Sequence, residues 1–505
     1  MSDAGRIPRP TPLSMNPEAF RAAGHRLVDE LAGRLAAIAD GPVTRDVSPS
    51  ALREAIGLGR PLPERGTEAG ELLAGATRAL FERSLFNQHP RFFGYITAPP
   101  APIGILGDLL ASAVNPNCGS WALAPAATEI ELETVRWIAG LIGYPTDAGG
   151  LLVSGGNMAN FVCFIAARAA KAGWDVRAKG ASAGPPLRAY CSSETHTWIQ
   201  KATDLAGLGT DSIRWIPVDG AQRMDVTALD RRIEADLAAG ERPFLVVGTA
   251  GSVSTGAVDA LPAIRDVCRR HDLWFHVDGA YGGFAAAAPG APADLRALAD
   301  ADSVAVDPHK WLYAPLEAGC ALVRDADALR AAFSYHPPYY HFDERAMNLV
   351  DFGMQNSRGF RALKVWLMLQ HAGAAGYRAM IGEDMRLSRE LAEAVRSHPE
   401  LELFTQALSI TTFRCVPRDL RARVGEERAE AYLDTLNRTV LDRSQREGEA
   451  FVSNAVVRGR YVLRACIVNF HTASADVQAL PGILVRAAAR IDAELRPREL
   501  RGEAT

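Results

Sequence analysis

The chain has 505 residues, too long for one ordinary domain. Hydrophobic residues make up 48% and charged residues 23%, so a sizeable core can form without covalent or metal staples. The formal net charge is −4 and the Lys and Arg residues are scattered, which leaves no bulk basic field to suggest a nucleic-acid partner. Seven cysteines lie far apart with no C-x-x-C pair. That spacing argues against a disulfide framework and against structural zinc, and for reduced thiols in a cytoplasmic protein. Residues 1–12 are polar and proline-rich and lack the apolar core of a secretory signal. No run reaches the roughly 18 apolar residues of a membrane span.

In chain order, 17–40 predicts an amphipathic helix, followed by a Gly/Pro-interrupted stretch to about 66 and a second helix from 68 to about 85. Residues 89–102 carry several aromatics and four prolines, which fits irregular lining rather than a packed helix. Residues 125–143 predict a helix. Short apolar strands then alternate with helices, at 150–153, 187–191, 212–217, 244–248, 274–277 and 303–306. Such runs are βαβ units of an α/β fold with a mostly parallel sheet. Ligands of such sheets gather at the carboxyl ends of the strands. A helix at 360–370 and a Gly/Ala-rich hinge at 371–376 precede antiparallel strands at 409–416 and 451–468, turning at 458–460, which read as a separate α+β unit.

The strand ends carry the chemistry. In Trp274-Phe-His276-Val-Asp278-Gly-Ala280-Tyr, Asp278 follows an apolar strand directly. A carboxylate there is paired or faces a cleft, because an unpaired buried charge is costly. Asp307-Pro-His309-Lys310-Trp311 closes another strand of the same sheet. A lysine and an acid so placed suit pyridoxal 5′-phosphate (PLP), which needs the amine for an imine and the carboxylate to keep its ring nitrogen protonated. The lysine must lose its proton to attack, which burial and neighbouring cations promote. Singly, either residue is an ordinary strand end; with His309 and Trp311 beside the lysine they form a set. Leu151-Leu-Val-Ser154-Gly155-Gly156-Asn157 offers a strand, a glycine turn and a helix N-terminus, an anion cradle that is neither a Walker A loop nor G-x-G-x-x-G. His196 lies beyond the 187–191 strand, where an imidazole can stack on a cofactor ring. Gly248-Thr249-Ala-Gly251-Ser252 is a further polar strand end able to line the site.

In this order the pieces resemble the group II PLP-dependent decarboxylases, the aromatic-L-amino-acid decarboxylase family. The likeness runs from Asn87-Gln-His-Pro-Arg-Phe-Phe-Gly-Tyr95 to Tyr461-Val-Leu-Arg464. It is most specific in His276-Val-Asp278-Gly-Ala280-Tyr and Asp307-Pro-His309-Lys310-Trp, and Ser120-Trp121 with Pro125-Ala-Ala-Thr-Glu129 matches as well. The resemblance implies PLP fold-type I and an obligate homodimer with active sites at its interface. It divides the chain into an N-terminal helical dimerisation segment (1–100), a large PLP-binding domain (101–373) and a small α+β C-terminal domain (374–505). It makes Lys310 the Schiff-base lysine, Asp278 the ring-nitrogen partner and His196 the ring-stacking base. Gly156 and Asn157 fall on the phosphate, Ala280 against the ring and His309 beside the Schiff base. Asp307 stands where many relatives have Asn, and Val253 where animal relatives carry Thr.

Ser334-Tyr-His-Pro-Pro-Tyr339-Tyr340-His341 matches the family's catalytic loop. There a tyrosine, Tyr339 or its neighbour Tyr340, protonates the α-carbon after CO2 leaves; relatives with Phe form aldehydes instead. Phe93, Tyr95 and Thr97 match the substrate-lining strip, with Trp121 expected nearby. The strip is aromatic and lacks a guanidinium, which favours an aromatic side chain over an acidic one. Arg91, Arg358 and Arg361, the nearest arginines, read as structural or phosphate-linked. The expected activity is a carboxy-lyase that converts an L-amino acid to its amine. Aldehyde-forming oxidative deamination and decarboxylation of an acidic or diamino acid are the sister reactions, and a non-catalytic PLP-fold subunit is the remaining alternative. The expected partners are the amino acid and a second copy of the chain, with no nucleic acid, membrane or metal.

Overall fold

A computed structural model describes residues 11–336 and 346–501. Tyr339, Tyr340 and His341 lie outside the described residues.

Seven strands form the central sheet: β1 (Gly149–Val153), β2 (Leu187–Ser192), β3 (Ile213–Ile216), β4 (Arg242–Thr249), β5 (Trp274–Asp278), β6 (Ser303–Val306) and β7 (Gly319–Val323). Their order is β1-β7-β6-β5-β4-β2-β3. Every pairing from β6 to β3 is parallel, and β7 runs antiparallel to both β6 and β1. The strands are near-continuous apolar runs because both faces are covered. Their two-residue period deals alternate side chains to two cores. Leu151, Val153, Leu245 and Val247 join one with Phe164 of the helix Gly156–Lys171. Leu152 and Val246 join the other with Ile138 of the helix Pro125–Ile142 and Val365 of the helix Ala362–Ser397.

The six predicted strands are present, and β7 is an addition. It follows the Lys310 turn after a short connection rather than a full helix, so it breaks the alternation that marks the others.

The second sheet is antiparallel throughout: β8 (Leu401–Ala407), β9 (Ile410–Cys415), β10 (Ser453–Val457) and β11 (Arg460–Cys466), in the order β10-β11-β9-β8. The β10–β11 hairpin turns at Arg458 and Gly459, whose φ angles of 52° and 75° are the left-handed pair of a tight hairpin. β8 also escapes the sequence pattern, since only Leu401 in it is fully buried and no clean alternation results. The predicted hinge at 371–376 narrows to one residue. Helix Ala362–Ser397 continues through it and leaves helical geometry only at Gly373 (φ 65°, ψ 166°).

The 89–102 segment is irregular but pinned. Phe93 donates its N–H to the Phe451 carbonyl (2.7 Å), and its own carbonyl accepts from Cys466 N–H (2.9 Å). Its ring is buried in the core of the second sheet.

Asp384, buried in the long helix, ties that helix to the Lys310 turn. It accepts from Trp311 Nε1 (2.9 Å) and from the Tyr313 hydroxyl (2.7 Å). Burial raises its pKa from an ordinary 3.8 to about 7, against the opposing pull of those two donors. The native chain therefore holds this proton more tightly than the unfolded chain. The resulting stabilisation is present below the ordinary carboxylate range and is lost as pH rises through about 7. Asp384→Asn should lose less stability than the parent between pH 4 and pH 7, read as denaturation midpoints across that range.

Candidate active site

A cavity of about 570 Å³ opens where the strands of the large sheet end. Each wall is the residue run after one strand. Ser154, Gly155, Gly156 and Asn157 follow β1, His196 follows β2, and Gly251 follows β4, whose last residue is Thr249. Asp278 closes β5 and Ala280 follows it, while Asp307, His309 and Lys310 follow β6.

The turn after β1 demands glycine. Gly155 has φ 122° and ψ −179°, a conformation essentially closed to other residues, and a Cβ there would meet His309 Cε1 at 3.0 Å. A Cβ on Gly156 would lie 2.7 Å from Asp307 Oδ2 and 3.0 Å from the Ala280 methyl. Gly156 opens a 16-residue helix that has no side-chain cap, so its first N–H groups are free to bind an anion.

Lys310 Nζ lies 2.9 Å from Asp307 Oδ2, with the lysine side chain 20% exposed and the aspartate 1%. Asp307 Oδ1 and Thr249 Oγ1 are buried with no partner among the described residues. His309 Nδ1 is 2.7 Å from the Ala318 carbonyl, and its Nε2 is 3.7 Å from Asp307. Burial lowers its pKa against the pull of Asp307.

The Asp278 carboxylate, on a residue only 7% exposed, accepts from Trp198 Nε1 at 2.7 Å and from Ala280 N–H at 3.1 Å. Behind it, His276 is wholly buried, and burial holds its pKa down to about 4. Its Nε2 donates to Asn160 Oδ1 (2.7 Å), and its Nδ1 accepts from Ser303 Oγ (2.8 Å). Asn160 Oδ1 can only accept, so the neutral ring keeps its proton on Nε2, and the Ser303 oxygen also accepts from Trp274 Nε1. His196 stands exposed at the cavity mouth. Its Nδ1 accepts from Trp198 N–H (3.3 Å), which leaves the proton on Nε2. Partial burial of the ring lowers its pKa, opposed by the charge of Asp278.

Thus Gly156, Asn157, His196, Asp278, Ala280, His309 and Lys310 share one cavity. Val253, Tyr281, Leu316 and Glu317 line it too. A primary amine, a facing carboxylate, a free helix N-terminus and two orphaned buried oxygens fit a group that carries a phosphate, an imine-forming carbon and a ring nitrogen.

The expected substrate residues are not brought there. Phe93 is core, because its backbone and ring are both committed to the second sheet. Tyr95 is 58% exposed, Thr97 is half-buried, and Trp121 donates its Nε1 to Glu129 (2.8 Å); none of the four lines the cavity. Arg358 is paired in the interior with Glu131, and Arg91 lies 3.5 Å from Asp476. Arg361 Nε donates to the cavity residue Glu317 at 2.8 Å. Nothing in the sequence marks Trp198 or Glu317 as site residues. A single tryptophan two positions after His196 makes no pattern, and Glu317 lies on the short connection to the unforeseen β7.

The family described as the pyridoxal-dependent decarboxylase conserved domain matches residues 51–415. The chain belongs to this family. The decarboxylase is 31% identical over 470 residues to the aromatic-L-amino-acid decarboxylase of Bacillus atrophaeus, covering 92% of this chain and 94% of that one. It is 29% identical to the phenylacetaldehyde synthase of Arabidopsis thaliana, covering 92% and 94%. The structure of Oryza sativa TDC with PLP and tryptamine superposes with a TM-score of 0.88 at 27% identity, covering 96% and 100%. The fold is PLP fold-type I, the cofactor is PLP, and the enzyme is a carboxy-lyase.

Gly155→Ala should strain the turn by about 1–3 kcal/mol. The expected outcome is a lower melting temperature together with PLP lost during gel filtration, the retained cofactor being measured by absorbance.

Proposed function

We propose that this decarboxylase removes CO2 from an aromatic L-amino acid and releases the amine. The observation that carries the reading is the convergence of Lys310 and Asp278 on one cavity beside the Gly155-Gly156 cradle. When bound, PLP supplies the electron sink for the charge left at the α-carbon. Lys310 Nζ would hold the cofactor covalently. The Asp278 carboxylate keeps the proton on the ring nitrogen. The N–H groups at Gly156 and Asn157 would receive the phosphate, Ala280 and His196 would contact the ring, and His309 lies beside the lysine. Tyr339, or Tyr340 beside it, delivers a proton to the substrate α-carbon.

A homodimer completes the reading. The helix Pro102–Val114 packs inward through Gly104 and Gly107, where a Cβ would meet Pro315, Met368 or Lys364. It leaves Leu106, Leu109, Leu110 and Val114 exposed. An apolar patch of that kind is typical of a contact surface. Tyr95 is exposed as well. On this reading a second copy seated on this face would bring Tyr95, Thr97 and Trp121 toward a cavity, adding aromatic lining to the Tyr281 that one chain supplies. The relatives named for aromatic substrates and the TDC complex with tryptamine support the same substrate class. All seven cysteines are buried and unpaired, which suits a cytoplasmic location. No helix among the described residues is long and apolar enough to cross a membrane.

The test is a panel of aromatic, acidic and diamino L-amino acids offered to the PLP-loaded enzyme, with products identified by mass spectrometry. CO2 and amine should form from the aromatic members and disappear in Lys310→Ala. Oxygen uptake with aldehyde and ammonia, and no amine, would replace the amine-forming reading with oxidative deamination; an aldehyde is the product in the name of the Arabidopsis relative. Separately, Leu109→Glu combined with Leu110→Glu should convert a dimer to a monomer in light-scattering chromatography and abolish turnover. A wild-type chain that elutes as a monomer with full activity would refute the dimer.

A further inference from the structure

Asp278 presents a specific physical problem. A carboxylate at a buried strand end needs donors, and it must also face one particular ligand atom. Its two oxygens have one fixed donor each: Trp198 Nε1 to Oδ2 at 2.7 Å, and Ala280 N–H to Oδ1 at 3.1 Å. The two donors come from different places. Ala280 belongs to the turn that follows β5 itself. Trp198 opens the helix Trp198–Leu205, two strands away in the sheet.

The indole cannot turn aside. Trp198 is 1% exposed. Its ring packs edge-on against Phe164, at 6.5 Å between centroids and 79° between planes, and against His276, at 5.7 Å and 83°. Rotation of the carboxylate about its last bond would break one bond or the other. Both bonds end on a carboxylate, and a charge-assisted hydrogen bond in a dry site exceeds a neutral one.

We infer that Trp198 is a positioning residue whose indole N–H fixes the Asp278 carboxylate in the orientation that meets the ring nitrogen of PLP. The inference rests on the reading of Asp278 as the ring-nitrogen partner. Trp198 touches two of the residues assigned to the cofactor ring. Its side chain orients Asp278, and its backbone N–H donates to His196 Nδ1 (3.3 Å) and so holds the other ring-contacting residue in one tautomer. The two roles are separable by mutation. Trp198→Phe keeps the aromatic packing and the backbone N–H and removes only the indole donor.

The experiment is a double-mutant cycle on the full chain, with the Kd for PLP read from the absorbance of the lysine-bound cofactor. In the parent background, Trp198→Phe should raise the Kd about tenfold, equivalent to about 1.4 kcal/mol. In an Asp278→Asn background the same change should alter it by less than about twofold, because the charged acceptor has gone. An equal loss in both backgrounds would show that the indole is core packing and overturn the inference. A wild-type chain that takes no PLP onto Lys310, judged by the mass increment after borohydride reduction, would instead defeat the reading of the site itself. If Trp198→Phe does not fold, the indole N–H resonance of the wild-type chain serves, identified by its shift in Asp278→Asn. It should move when PLP is added, and a resonance that stays in place overturns the inference.

Discussion

A buried ion pair holds the edge on which the site is built. β1 is the outermost strand of the large sheet and has a strand neighbour, β7, on one side only. The backbone of Leu152 is nevertheless fully engaged: its N–H donates to Glu131 Oε1 (2.8 Å), and its carbonyl accepts from Arg358 Nη2 (2.8 Å). Glu131 and Arg358 pair with each other, 0% and 2% exposed, and together stand in for the missing strand. Arg358 reaches further, to the Cys118 carbonyl at 3.1 Å, and its own N–H donates to Asn117 Oδ1 at 3.0 Å. Burying two charges is costly and is offset only when every remaining donor and acceptor is satisfied. Here that condition joins β1, the 125–142 helix and the 117–119 turn at one point. β1 then runs straight into Gly155 and Gly156, so the register of the cradle follows from this pair.

The legible parts of the chain were those written in periodic apolar runs and in residues that follow them. Parallel strands buried on both faces leave a strong trace, and a lysine or aspartate at the end of one stands out against it. That is why Asp278, Lys310 and the glycine turn could be read and why they share a cavity. β7 and β8 left weaker traces, the first because it lacks a preceding helix and the second because its face is half-exposed. Partnerships across long separations left none. Nothing near Trp198 signals that its indole reaches Asp278, and the sequence leaves Arg358 structural or phosphate-linked because its partner Glu131 lies 227 positions away. Phe93 shows the same limit from the other direction. Its aromatic motif suggested lining, but its backbone hydrogen bonds commit it to the core of the second sheet.

The site is accordingly a meeting of parts with different tolerances. Gly155 and Gly156 are fixed by steric exclusion, since His309, Asp307 and Ala280 occupy the space a side chain would need. Asp278 and His196 are fixed by hydrogen bonds. Lys310 is held by Asp307 on one side, while its neighbour Trp311 is anchored to Asp384 on the other. That anchor sits in the helix that carries the chain toward the second sheet.

The clasp at Phe93 bears on the order in which the molecule can be made. Residues near position 93 find their backbone partners at Phe451 and Cys466, and Tyr95 meets Ser453 and Arg464 across 358 and 369 positions of sequence. A chain emerging from the ribosome exposes this aromatic stretch first, and its partners follow 358 to 369 positions later. Contacts of such long separation form slowly, because the intervening loop must close first. The apolar run from Phe92 to Ile96 therefore waits uncovered until those partners emerge.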